Sequence, residues 1–227
     1  MAVILVPARF VPGVVEECGR KGVRRAVIET AGFREYSDAG RALEDQVVAI
    51  AEQYGIRFIG PNCIGVINME NGFCVPFPRL TPFFKRGEGS VISQSGGVGL
   101  SIMNHMAAEG IGLNKFASAG NMLNINAEDL LEYYIEDEGT KIICMYLEDI
   151  SDGREFIHVC REIFWEKKKP MLAIKAGRSI EGARAASSHT GSLAGSDAVY
   201  EALLLQSGVQ RVATVEELFD LAEARVG

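Results

Sequence analysis

The chain is predicted to be an α/β protein, a partial Rossmann-like segment followed by a flavodoxin-like parallel-sheet domain. Three observations predict it. Apolar runs of four to six residues alternate with amphipathic stretches throughout the 227 residues, the pattern of strand–helix–strand units. The runs are largely apolar without alternation, which suits strands covered by helices on both faces. Between two such series, residues 71–86 carry Pro76, Pro78 and Pro82 and lose the rhythm, which marks a linker. The organisation expected is a first segment at 1–70, a linker at 71–86 and a second domain at 87–227.

In the first segment strands are expected at 2–6, 25–29 and 57–59, with helices over 11–21 and 39–54 between them. Three strands and two helices leave one edge of a parallel sheet uncovered. Either another chain completes this segment, or it packs tightly against the second domain. In the second domain strands at 90–93, 115–118, 142–147, 171–175 and 208–212 alternate with helices at 97–109, 127–137, 153–167, 197–206 and 215–226. Five strands joined in this way fit the flavodoxin-like order 2-1-3-4-5, in which the first, third and fourth strands are neighbours.

Composition narrows the function classes. The net charge of −7, with signs scattered, disfavours nonspecific nucleic-acid binding. No stretch approaches the ~20 apolar residues that span a bilayer, and the first residues are too short and lack the basic flank of a signal peptide. Five cysteines, none in a Cys-x-x-Cys pair, fit a reducing cytoplasm and neither a disulfide framework nor a zinc site. They read as buried small hydrophobes. Three histidines are too few for a histidine-rich metal centre, so no metal site is expected. Of these, His105 and His158 fall on expected helices and read as structural. Lys167 to Lys169 reads as a solvated helix end.

His189 is different. It lies in Ser187-Ser188-His189-Thr190-Gly191-Ser192-Leu193-Ala194-Gly195, a run of small residues built badly for packing and well for exposure. An imidazole there suits phosphorylation, although a lone histidine in a small-residue loop is often incidental. Two neighbours at the carboxyl edge of the sheet, where ligands of such folds bind, strengthen it. Ser93-Gln94-Ser95-Gly96-Gly97 follows a strand and opens a helix, so its N–H groups can hold an anion; close packing is the competing reason for such glycines. It is not a Walker loop, because no Gly-Lys-Ser/Thr follows. Glu148 ends the third strand and can accept from one imidazole nitrogen of His189, leaving the other nucleophilic. The alternative is an exposed acid beside Asp149. In the first segment Val6-Pro7, Thr30-Ala31-Gly32 and Gly60-Pro61-Asn62-Cys63-Ile64-Gly65 also stand at strand ends and line one edge suited to an extended ligand.

Taken together, Ala2 to Ala8, Ile59 to Gly65, Ser93 to Gly97 and Ser188 to Gly195 resemble, in content and order, the nucleoside-diphosphate-forming acyl-CoA synthetases. This is the superfamily of the succinyl-CoA synthetase α subunit, and the likeness is greatest to its ADP-forming acetate-CoA ligase branch. The resemblance implies the reaction acyl-CoA + phosphate + ADP = acid + CoA + ATP. His189 would carry the phosphoryl group and Glu148 would orient it. Ser95, Gly96 and Gly97 would bind phosphate, and Val6, Pro7, Thr30 and Asn62 would line the CoA site. ADP/ATP and magnesium would sit on a separate ATP-grasp domain or β-type subunit. The family's CoA-binding domain opens with a glycine-rich strand–helix unit that this sequence lacks, and Met1 falls where its third strand begins. By the resemblance, CoA binding here depends on a separate chain that supplies the missing half of the CoA-binding domain. Asn124 stands where relatives often carry an aspartate. The other reading is a noncatalytic relative, acting as a scaffold or CoA-sensing module.

Overall fold

The computed structural model describes residues 1–80, 84–177 and 196–226. Two sheets form. The first has three parallel strands, β1 (Ala2–Ile4), β2 (Arg25–Ile28) and β3 (Arg57–Ile59), in the order β1-β2-β3. Helix α1 (Val11–Arg20) accepts Pro12 in its first turn, where no N–H is needed. Helix α2 (Asp38–Tyr54) starts at a Ser37 cap, whose side chain accepts from Gly40 N, and stops at Gly55 in the left-handed conformation. Their apolar stripes bury Val11, Val15, Val47 and Ala51 against Ile4, Ile28 and Phe58 of the strands.

The outer edges of this sheet have opposite fates. Beside β3, Phe58 N donates to Asn124 Oδ1 at 2.9 Å and Ile125 N to Phe58 O at 3.2 Å, so the second unit covers that edge. An aspartate at 124 would offer the same acceptor. On the β1 side Val3 and Leu5 are 45% and 58% exposed, and β1 pairs only with β2 among the described residues.

The second sheet contains β6 (Arg86–Ser93), β7 (Leu113–Ser118), β8 (Ile142–Leu147), β9 (Met171–Lys175) and β10 (Gln210–Val212), all parallel. Their order is β10-β9-β8-β6-β7, the expected 2-1-3-4-5 arrangement read from the other side. Two strands were not expected. β4 (Val66–Asn68), within the first segment, and β5 (Phe73–Cys74), within the proline-rich stretch, extend the sheet antiparallel beyond β7. β6 also begins four residues earlier than anticipated. Gly87 and Gly112 permit this, because a Cβ on either would lie within 2.5 Å of the other's backbone.

Helices cover both faces. Alternate residues of β8, Ile143, Met145 and Leu147, meet α4 (Ala127–Glu136), α5 (Gly153–Trp165) and α6 (Asp197–Gln206). Ile142 and Cys144 face the layer of α3 (Gly96–Glu109) and α7 (Val215–Val226). This two-sided burial explains why the strands read as unbroken apolar runs. His105 stacks on Phe219 with centroids 5.1 Å apart, tying α3 to α7. Lys169 departs from expectation. It is buried, and its Nζ donates to the carbonyls of Tyr134, Ile135 and Asp137 at 2.6, 3.0 and 2.8 Å, satisfying the last turn of α4. Cys63, Cys144 and Cys160 are buried, Cys18 is half-buried and Cys74 is exposed, so the cysteines are not uniformly core residues. No helix of the described residues is long and apolar enough to cross a membrane.

Candidate functional site

The carboxyl ends of β6, β8 and β9 lie side by side, as their pairing requires. Ser95 caps α3, its Oγ accepting from Val98 N at 3.3 Å, while Ser93 Oγ donates to Ser95 O at 2.7 Å. The two glycines behind the cap have different reasons. A Cβ on Gly96 would stand 2.7 Å from Ile64 Cγ2, so Gly96 is glycine for close packing. Around Gly97 a Cβ would meet nothing within 4 Å, so the helix start is open on that side.

Gln94 joins this turn to Glu148. Its Oε1 accepts from Glu148 N at 2.5 Å and Asp149 N at 2.8 Å, and its Nε2 donates to Asp149 O at 2.7 Å. Lys175, at the end of β9, donates from Nζ to Glu148 O at 2.9 Å and Ala176 O at 2.7 Å. It also lies 4.0 Å from the ring centroid of Tyr200, whose hydroxyl donates to Asp149 Oδ1 at 2.8 Å. Burial pushes the Lys175 ammonium pKa down, against the opposing pull of Asp149. Burial, with the Glu148 carboxylate adding to it, raises that of Tyr146. Ser95 and Glu148 are thus brought together. His189 lies outside the described residues.

The first sheet has its own edge. Thr30 Oγ1 donates to Val6 O at 2.8 Å, and Asn62 N donates to Thr30 O at 2.9 Å. Pro7 starts a short 3₁₀ turn, its carbonyl accepting from Phe10 N at 2.9 Å. Val6, Pro7, Thr30 and Asn62 therefore share one edge, as their strand ends demand. Asn62 holds φ +58°, a left-handed conformation that asparagine tolerates best among residues with a Cβ.

A polar junction binds this edge to the second unit. Asn121 N donates to Pro61 O at 2.9 Å, and Asn121 Oδ1 accepts from Asn62 Nδ2 at 3.1 Å. The same residue's Nδ2 donates to Glu35 Oε2 at 2.7 Å and Glu44 Oε1 at 2.8 Å, and its carbonyl accepts from Arg34. Burial pushes Glu35 up, but the N–H donors of Asn121, Phe33 and Gly32 outweigh it and hold the carboxyl below its usual range. At Glu44 burial prevails and the shift is upward. Sequence reading missed Asn121, Gln94, Lys175 and Tyr200. The available signal was a buried-type polar residue closing an apolar strand, as Lys175 does after Met-Leu-Ala-Ile.

Glu29, just past β2, is 4% exposed, and its Oε1 has no hydrogen-bond partner among the described residues. Burial raises its pKa. A carboxyl raised on folding stabilises fully below its unfolded pKa, and that contribution is lost as pH rises through the folded value. Glu29→Gln is therefore expected to raise Tm by about 2–4 °C at pH 7 and to lose the advantage near pH 4. Thermal melts at the two values check it; an equal shift at both would contradict the burial argument.

Comparison with known proteins adds the following. Residues 86–225 match the family described as the succinyl-CoA ligase like flavodoxin domain, and residues 1–69 match a CoA binding domain. The α subunit of acetate–CoA ligase (ADP-forming) I from Pyrococcus furiosus is 47% identical over 224 residues, covering 99% of this chain and 48% of that one. Acetate–CoA ligase (ADP-forming) I from Archaeoglobus fulgidus is 45% identical over 98% of this chain and 32% of its own length. The 4-hydroxybutyrate–CoA ligase (ADP-forming) of Nitrosopumilus maritimus is 44% identical over 99% and 32%. Among solved structures, the dinucleotide-forming acetyl-coenzyme A synthetase 1 of Ca. Korarchaeum cryptofilum, in complex with phosphate and ADP, aligns with a TM-score of 0.92 and 40% identity. That alignment covers 99% of this chain and 47% of that one. The chain spans about a third to a half of the length of these relatives.

Proposed function

Starting from a chain that belongs to the nucleoside-diphosphate-forming acyl-CoA synthetase superfamily, we propose that it is the α-type component of an ADP-forming acyl-CoA synthetase. The reaction is acyl-CoA + phosphate + ADP = acid + CoA + ATP. The observation that carries it is the meeting of the two edges: Ile64, two residues beyond Asn62, packs against Gly96, one residue beyond Ser95. A thioester held along Val6, Pro7, Thr30 and Asn62 can therefore present its carbonyl to a phosphate held at Ser95, Gly96 and Gly97.

A phosphate oxygen attacks the thioester carbonyl, the C–S bond breaks and CoA leaves as thiolate. The start of α3, with its open side at Gly97, holds the resulting acyl phosphate by N–H donation and helix dipole. One nitrogen of His189 attacks phosphorus, the bond to the acyl oxygen breaks and the carboxylate departs. Glu148 accepts a hydrogen bond from the N–H of the other imidazole nitrogen, fixes the tautomer and stabilises the cation that forms. The N–P bond then breaks when a β-phosphate oxygen of ADP takes the phosphoryl group. Small residues around His189 suit a loop that serves two sites.

Nucleotide and magnesium belong on an ATP-grasp β-type partner. The exposed β1 edge fits further strands that would complete the CoA-binding sheet, and the reducing cytoplasm fits the free cysteines. Exposed strand edges template pairing. The wild-type chain alone is thus expected to self-associate at high concentration, and Val3→Lys with Leu5→Lys to leave it monomeric in sedimentation. A wild type that stays monomeric at every concentration would remove β1 as an association surface.

Reconstitution tests the reaction. With an ATP-grasp partner and a chain carrying the glycine-rich unit supplied, acetyl-CoA, phosphate and ADP should give ATP only when this chain is present. ATP formation that is independent of the chain would overturn the assignment.

A further inference from the structure

Beyond its last ladder pair, Leu147 with Lys175, β8 has no neighbouring strand among the described residues to satisfy its backbone. Glu148 and Asp149 nevertheless have four backbone groups engaged, and side chains engage all of them. The Gln94 amide takes the place of a peptide group. Its oxygen accepts from both N–H groups and its nitrogen donates to Asp149 O. The remaining carbonyl, of Glu148, accepts from Lys175 Nζ. Gln94 itself cannot drift, because its own N donates to Tyr146 O at 3.1 Å and its Nε2 also approaches Met122 Sδ at 3.2 Å. Lys175 is equally constrained: two carbonyls and the face of Tyr200 surround its ammonium. Both side chains are 5% exposed.

We infer that Gln94 and Lys175 are positioning residues, which clamp the Glu148–Asp149 backbone so that the Glu148 carboxylate keeps a fixed place relative to the Ser95 turn. The inference rests on the phosphohistidine reading above and extends it to two residues that act through the backbone of Glu148 and Asp149. Gln94 is the more consequential, because it precedes Ser95 directly. One residue thus sets the separation between the anion-holding helix start and the acid that orients the imidazole. Preorganisation of this kind acts on the rate of the chemical step, since sub-ångström placement of a charged partner governs its effect in the transition state.

The test uses the full chain, with acetyl phosphate and magnesium as phosphoryl source. Gln94→Ala and Lys175→Met should each slow acid-labile phosphorylation by about 10-fold or more, with the acetyl phosphate concentration at half-maximal rate unchanged, because Ser95 keeps its own cap to Val98. Epistasis separates positioning from general loosening. In a Glu148→Gln background, Gln94→Ala should slow the reaction no further; an additional loss of the same size would overturn the inference. A second readout is independent of activity. Amide hydrogen exchange at Glu148 and Asp149 should speed up about 10-fold or more in Gln94→Ala while the amides of β8 keep their protection. Unchanged exchange there would show that no clamp exists. If wild type takes no phosphoryl group even with the partner chains supplied, the phosphohistidine reading fails and the positioning role fails with it. The exchange result then still decides whether Gln94 grips this turn.

Discussion

Replacing His189 with asparagine is expected to abolish phosphoryl transfer while leaving the fold intact. Asparagine matches one edge of the imidazole in size and hydrogen bonding but offers no lone pair able to attack phosphorus. On the proposed route His189 is the covalent carrier, so its loss removes both transfers that pass through it, not one stabilising contact. ATP formation by the reconstituted enzyme should drop by about 10³-fold or more, the scale on which removal of a nucleophile acts. Circular dichroism and the melting temperature should stay those of wild type. Residual turnover above a hundredth of the wild-type rate would mean that phosphate reaches ADP by another path.

The second large effect is structural. Gly120 stands at φ +59°, and a Cβ there would lie 2.2 Å from Pro61 O and 2.6 Å from Asn62 O. A β-branched side chain is strained in that conformation wherever it is placed. Here it would also push apart the backbone bonds from Asn121 N to Pro61 O and from Leu123 N to Gly60 O, which fasten the first unit to the second. Gly120→Val is expected to cost about 3–5 kcal/mol, lowering Tm by roughly 10 °C or more at this size. Because the same loop holds Asn62, the edge shared by Val6, Pro7, Thr30 and Asn62 should loosen too, and limited proteolysis should cut sooner within the first unit. A melting temperature within a couple of degrees of wild type would show that the junction is not tightly packed.

Much of the architecture was legible because its determinants are local. Apolar runs marked β6 to β10, and short connections imposed the order of the sheet. That order in turn put Ser95 beside Glu148, and Val6 beside Thr30 and Asn62. The hairpin β4–β5 escaped for a physical reason: strands of three and two residues carry almost no periodicity. Asn71-Gly72 between Val66-Ile67 and Phe73 was a hairpin signal that the following prolines outweighed. Lys169 escaped because a lysine run at a helix end usually meets water, whereas here the end of α4 lies within its reach. The polar groups that hold the site together were least visible. Gln94 meets Asp149 across 55 residues and Asn121 meets Glu35 across 86, pairings that no local pattern encodes. Glycines showed the limit of motif reading in another way. Of the pair in the Ser95 turn, Gly96 answers to Ile64 and Gly97 to open space, a distinction visible only in three dimensions.

The proposed mechanism requires this chain to carry a phosphoryl group on one imidazole. Its most direct test is to incubate the purified chain with acetyl phosphate and magnesium and locate acid-labile, base-stable phosphate by mass spectrometry under alkaline conditions. A single modified site is expected, at His189, absent from His189→Asn. Phosphate on another residue, or none even after the partner chains are supplied, would contradict it and leave a noncatalytic CoA-binding relative as the better description.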